Sequence, residues 1–380
     1  MKTLSRSLVA ILACLLLANC AGTAQPLPMP TLVVAPAPTP LPTRAPEPLI
    51  PTLPAPASPT PVPMPTIGPT ATPLAAPSLA NRWRFGVGLA YGKITDYDLS
   101  RLLPGWYLDW GVRIPPATTP TVAYAPMVSV SEDGFSPDPT KLLAAIDAMP
   151  GALWLLGNEP DVAWQGNTTP ESYARHYHTL YTLIKERDPS ARVAIGGLSQ
   201  PTALRIRYLE RVLAAYEREF GAPMPVDVWN IHNFILREEA NSWGVGIPPG
   251  FDDTQGELYE IADHDDMEIF AQQIINFRYW MWKQGQRDKP LIISEYGILM
   301  PPDYGFPAEA VKQFMWDSFD FFLNARDEEI GYPADDHRLV QQWCWYSLGD
   351  TLYYTSNLFD PQTFVITPLG EAFGEYVRTH

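Results

Sequence analysis

Cysteine is nearly absent: the 380 residues hold three, Cys14, Cys20 and Cys344. Two of them stand in a leader-like N-terminus, so no disulfide framework can hold the rest of the chain. Cys344, left alone, is expected to be a small buried apolar residue. Long hydrophobic runs are missing too; Leu8 to Ala18 is too short to span a bilayer. Basic residues are outnumbered, 26 Lys and Arg against 42 Asp and Glu, a net charge of −16. A field of that sign excludes nucleic acid and anionic lipid surfaces as partners and favours a neutral substrate. No glycine-rich phosphate loop follows the first strand-like run, because Gly86-Val87-Gly88 is too short a fragment. Histidine is sparse, and His176 and His178, two apart on a helical pattern, face different sides. No metal or cofactor constellation is present.

What is present divides the chain in three. Residues 1–22 read as an export signal, with Lys2 and Arg6 ahead of the apolar run. Leu17-Ala18-Asn19-Cys20 resembles the lipobox of bacterial lipoproteins, which implies acylation of Cys20; the alternative is an ordinary secretion signal. Residues 23–80 follow as a linker. Residues 21–80 hold 19 of the 42 prolines, mixed with Ala, Thr and Leu, and only Arg44 and Glu47 are charged. Such a stretch cannot bury a core and reads as a disordered, polyproline-II-like spacer. About 55 residues of it would reach on the order of 170 Å if extended, a tether from a membrane surface. The first two segments contribute +2 and 0, so residues 81–380 carry −18.

Those remaining residues, roughly 300, suit one (β/α)8 barrel. Strand-like runs stand at 83–91, 106–110, 123–130, 152–157, 192–197, 226–232, 290–295 and 340–348. Helical patterns alternate with them, at 95–103, 138–149, 169–188, 202–220, 267–284, 307–326 and 367–378. This alternation predicts a parallel sheet under helical cover. Gly111 to Pro120 is proline-rich and too short for a full helix, so the barrel is expected to be irregular around its second unit. Residues 233–266 form a connection long enough to suggest function.

Two runs carry the chemistry. Ala152 to Asp161 (ALWLLGNEPD) reads as a buried strand closed by Asn158, Glu159 and Pro160, and Leu291 to Gly297 (LIISEYG) likewise ends in Glu295. In a parallel barrel such strand ends meet at one face. Two facing carboxylates there are the working parts of glycoside hydrolysis.

Asn158-Glu159-Pro160 with Ser294-Glu295-Tyr296-Gly297 resembles the clan of retaining glycoside hydrolases built on a TIM barrel. Within it, Leu155 to Asp161 looks like the β-1,3-glucanase-like catalytic cores of family 128, with families 39, 5 and 53 as relatives. The resemblance covers residues 83–380. It implies Glu159 as acid/base and Glu295 as nucleophile, with Asn158 on the sugar 2-hydroxyl. Relatives often have His-x-Tyr where this chain has His232-Asn233-Phe234, so a hydroxyl that would bond the nucleophile is missing; Tyr296 or Asn230 could replace it. That loss should leave the nucleophile with a higher pKa. The resemblance also places Trp345 as the floor of the cleaved-sugar subsite. Trp343 shares its strand face, and Cys344 should then point the other way, toward the helices. Trp164, Trp110 and Trp243 follow strands and could widen the cleft, or belong to the core. The expected protein is an exported, lipid-anchored, monomeric hydrolase of a neutral β-linked polysaccharide. A non-catalytic carbohydrate-binding lipoprotein and an envelope transglycosylase are the alternatives.

Overall fold

The computed structural model describes residues 79–115 and 121–380. The export signal, Cys20 and the proline-rich linker up to residue 78 lie outside the described residues, so those expectations meet no test here.

Ten strands are present among the described residues: β1 Phe85–Gly88, β2 Trp106–Leu108, β3 Ala123–Tyr124, β4 Met127–Ser131, β5 Gly134–Ser136, β6 Leu153–Asn158, β7 Arg192–Gly197, β8 Trp229–His232, β9 Leu291–Tyr296 and β10 Gln342–Trp345. Six α-helices accompany them: α1 Pro139–Ala148, α2 Pro170–Arg187, α3 Ala203–Phe220, α4 Met267–Lys283, α5 Ala308–Asn324 and α6 Pro368–Thr379. The helices start where the sequence supplies caps. Asp138, Thr169, Thr202, Asp266 and Thr367 each accept backbone N–H groups of the first turn, and Pro170 stands at a position whose N–H would have no partner.

The strands form an α/β fold in two sheets, ordered β3-β2-β1-β10-β9-β8 and β5-β4-β6-β7. All pairings are parallel except β4 with β5, a hairpin turning at Glu132-Asp133. A single continuous ladder of eight strands is not found. The expected third run is divided by Pro126, which has no N–H to give, into β3, paired with β2, and β4, paired with β6. Short β8 meets the β7 edge only through the parallel bridges Ala194–Val228 and Leu198–Ile231.

Side chains alternate across both sheets. Trp106, Leu108, Ala125, Met127, Leu153, Leu155, Ala194, Val228, Ile292 and Cys344 share one buried cluster. The opposite faces, including Trp154, Ile293, Trp343 and Trp345, join the helices in the main core. The predicted helix over 95–103 is only a 3-10 turn, Ile94–Asp96, followed by turns. No α-helix follows β2 within the described residues, as the proline content of that stretch requires. No helix among the described residues is long and apolar enough to cross a membrane.

Candidate active site

Glu159 follows the last residue of β6 with its backbone in the left-handed region, φ 39°. That conformation costs a non-glycine residue energy and persists only where surroundings impose it. Here the Glu159 N–H donates to Gly197 O at 3.0 Å, and its carbonyl receives the N–H groups of Val162 and Gly166, both at 3.1 Å. A buried ion cluster holds the turn from below. Arg205 lies 3.3 Å from the Asp161 carboxylate and 3.0 Å from that of Glu238, and its guanidinium also donates to the Asp161 carbonyl.

Glu295 reaches the same place by a bulge. His232 of β8 pairs with Glu295 although Ile231 pairs with Ile293, so β9 gains one residue at Ser294. The register against β10 shifts at the same place. A bulge re-aims the residues beyond it. It turns Glu295 toward Glu159 and sends Tyr296 outward. Asn230 pins the bulge, accepting from the Ser294 N–H at 3.2 Å and donating to Ile195 O at 3.2 Å.

His232, fully buried, joins the two glutamates. Its Nδ1 lies 2.9 Å from Glu159 Oε1 and its Nε2 3.8 Å from Glu295 Oε2. One donor atom from each of the three lies within 4.8 Å of the others. Their types would suit a divalent ion, and the same spacing suits proton transfer. The Trp110 indole N–H donates to Glu295 Oε2 at 2.9 Å. Burial pushes the Glu295 carboxyl up to about 7; the neighbouring Glu159 adds to this, while His232 and the Trp110 N–H oppose it. Burial works against the His232 imidazolium, but Glu295, Glu159 and Asp161 outweigh it and raise its pKa. Burial, rather than the hydroxyl missing at Phe234, is thus the largest cause of the raised pKa of Glu295.

Beside the pair runs a groove of about 540 Å3, lined by Trp110, Asn158, Gln165 and the β4–β5 hairpin with Ser129, Ser131, Asp133 and Phe135. Asn158 lines it, and its side-chain oxygen is buried with no hydrogen-bond partner in the protein. Tyr346, half-buried, packs its ring 5.6 Å from that of Trp110 and donates its hydroxyl to Asp350. A larger hollow of about 680 Å3 lies between α3 and residues 250–253 and shares no residue with this groove. There Arg207 pairs with Asp253 at 2.6 Å and Arg211 with Glu171 at 3.5 Å.

Of the residues expected at the site, the structure brings together Glu159, Glu295, His232 and Asn158. Five others stand elsewhere. Tyr296 is fully buried among Phe270, Phe322 and Trp345, its hydroxyl 3.2 Å from Ser318 of α5, because the bulge displaced it. Trp345 is fully buried on the helix side and donates its indole N–H to Ser356 O at 2.9 Å. It floors no sugar site, and the alternation of β10 is the reverse of that expected: Cys344 enters the inner cluster and both tryptophans pack outward. Asn230 is the fully buried brace of the bulge. Trp164 is half-buried beneath Gly246, where an added Cβ would lie 3.3 Å from its ring. Trp243 is likewise half-buried against the core.

Sequence reasoning gave no role to Tyr346 and missed the hairpin wall. The hairpin had a signal, the alternating Val128-Ser129-Val130-Ser131 closed by the polar run Glu132-Asp133-Gly134. Tyr346 follows from the true alternation of β10.

No family model matches the sequence, and no curated protein does either. Solved structures do match. An endo-β-1,3-glucanase of GH128 subgroup II from Sorangium cellulosum superposes with a TM-score of 0.52 at 17% identity, covering 77% of this chain and 97% of that one. The chain has the GH128 fold. A subgroup II enzyme from Pseudomonas viridiflava gives 0.52 at 18% identity, over 77% and 96% of the two chains. A subgroup I endo-β-1,3-glucanase mutant from Amycolatopsis mediterranei, solved with laminarihexaose, gives 0.51 at 14%, over 77% and 98%.

Proposed function

We propose that the chain is a glycoside hydrolase acting on a β-1,3-linked glucan by retaining double displacement, with Glu295 as nucleophile and Glu159 as acid/base. One observation carries this reading: oxygens of the two carboxyls approach within 4.8 Å beside a groove. That spacing fits the retaining separation of about 5–5.5 Å and falls well short of the inverting range of about 6.5–9.5 Å. The substrate class rests on the fold neighbours, which are β-1,3-glucanases with laminarin oligosaccharides bound in some. In this reading Trp110 and Tyr346 present apolar ring faces to a sugar, and Asn158 holds its 2-hydroxyl.

The same reading takes the strands as a closed (β/α)8 barrel, with residues 123–131 counted as one strand and β5 outside the ring. The two parallel bridges between β7 and β8 support closure, as does the inner cluster shared by strands of both sheets. The enzyme would be exported and held at a membrane by lipid on Cys20, working as a monomer at the end of the linker.

Digestion of a panel of neutral polysaccharides, with product anomers followed by proton NMR, tests the activity. Cleavage of linear β-1,3-glucan with the β-anomer formed first is expected. Turnover of none of the panel, or first formation of the α-anomer, overturns the reading. Cys20→Ser should move the protein from the membrane to the soluble fraction; unchanged partition overturns the anchor.

A further inference from the structure

Burial favours the protonated form of the Glu295 carboxyl, the nucleophile assigned above, and in that form it cannot attack. The geometry offers a remedy. His232 is in line between the two glutamates, Nδ1 on Glu159 Oε1 at 2.9 Å and Nε2 facing Glu295 Oε2 at 3.8 Å. Nε2 is buried and has no hydrogen-bond partner. The ring is confined: a Cβ on Gly197 would lie 2.4 Å from its Cδ2, and Phe234 stands edge-on with ring centres 6.2 Å apart. An imidazole that cannot turn, with a carboxyl at each nitrogen, has the form of a proton conductor.

We infer that His232 relays a proton between Glu295 and Glu159, converting the resting pair into the reactive one without recourse to solvent. The inference rests on the hydrolase reading. In the step, the Glu295 O–H bond breaks and its proton forms an N–H bond at His232 Nε2. The Nδ1–H bond breaks in turn, and that proton forms an O–H bond on Glu159. Glu295 is left as carboxylate, Glu159 as acid, and His232 as the other neutral tautomer. No charge is gained or lost. The Nε2···Oε2 gap must close by about 1 Å to reach hydrogen-bond range. Other groups acting on this system electrically are Asp161, two residues beyond Glu159, and Asp350 and Tyr353 beyond β10. With Glu159 8% exposed and His232 fully buried, a glycan in the groove would shut out water, and an internal path becomes the only one.

Two measurements on the full chain test this. In His232→Asn the amide can still donate to Glu159 but cannot pass a proton on. Without the relay, Glu295 can lose its proton only to solvent. Glucan hydrolysis should then fall on the order of 10²-fold at every pH, the usual scale of general acid catalysis. Hydrolysis of a 4-nitrophenyl glycoside, which needs no acid, should survive but move its optimum upward. Wild type should show one optimum for both substrates. Unchanged profiles in the variant, or equal loss on both substrates with no shift, reduce His232 to a positioning residue and overturn the relay. The second measurement needs neither activity nor a variant. Nitrogen-15 NMR of wild-type histidine should give His232 nitrogen shifts averaged between bare and protonated forms as pH is varied from 6 to 9. One fixed protonation pattern across that range overturns the relay. Averaged shifts in a protein that cleaves no glycan would keep the relay and sink the hydrolase reading instead.

Discussion

Glu159 and Glu295 have the same side chain and different surroundings, and the difference should separate their roles. Glu295→Ala removes the only group placed to attack carbon, so turnover should collapse for every substrate whatever its leaving group. Azide, occupying the space, should restore some cleavage with inverted configuration. Glu159→Ala removes the proton donor, so aryl glycosides should be cleaved far better than glucan. Comparing kcat/KM for both substrates in both variants checks this; equal losses with no azide rescue would reject the assignment. Glu295 also leaves a mark on stability. Its carboxyl is held up at about 7 against an ordinary 4.5. Between those values the folded state binds more protons than the unfolded one, so stability falls as pH rises through that window. Glu295→Gln removes the buried charge, and should raise Tm clearly at pH 8 and hardly at pH 4, read by thermal melts at both.

At the scale of elements, the site depends on β9 having one residue too many and on β7 having none too large. The bulge at Ser294 turns Glu295 inward, and Gly197 gives His232 its place. Gly197 has an ordinary negative φ, so its requirement is space alone. Gly197→Ala would put a methyl 2.4 Å from His232 Cδ2, 2.5 Å from Nε2 and 3.0 Å from the Ser294 hydroxyl. The imidazole must shift away from both glutamates. Activity should drop at least about tenfold while unfolding in denaturant changes by no more than the 1–3 kcal/mol usual for overpacking. A variant with full activity would show that the imidazole's placement is unimportant. The Arg205 cluster is the other device at this scale. Arg205, Asp161 and Glu238 are all fully buried, so Arg205→Ala should cost about 3–5 kcal/mol by stranding two carboxylates. Denaturant unfolding measures it; a loss below about 1 kcal/mol would contradict the account.

For the whole molecule, Arg84 anchors the entrance to the first strand. The 3-10 turn Leu79–Arg84 ends in this buried side chain, which grips Asp335 through two bonds of 2.7 and 2.6 Å and donates to Gln341 O at 3.1 Å. Asp335 lies just before β10, so the grip ties the first strand's entrance to the last strand's. A chain beginning at Leu79 should keep the Tm of the mature protein, and one beginning at Phe85 should lose several degrees. A calorimetric Tm unchanged by the longer cut would show the grip to be dispensable; a fall on the shorter cut would show that the linker contributes to the fold.

The sequence by itself determined most of the element order, most helix starts and the two glutamates. Caps such as Thr169-Pro170 and apolar runs closed by polar residues act locally, within a few positions, and so can be read locally. It also pointed to His232 and Asn158, which stand within one residue of a strand's end or at it. What it could not decide was which way a side chain faces where the strand period is broken. A bulge at Ser294 reversed the facing of Tyr296, and the packing of Phe314 and Phe319 drew Trp345 outward and turned Tyr346 toward the site. In a strand a shift of one residue exchanges the two faces. That shift is settled by the neighbouring strands and the helix layer, which lie far off in the chain. The Trp110 N–H on Glu295, 185 positions away, and the hairpin wall of the groove arise the same way, from contacts that exist only once the strands are assembled.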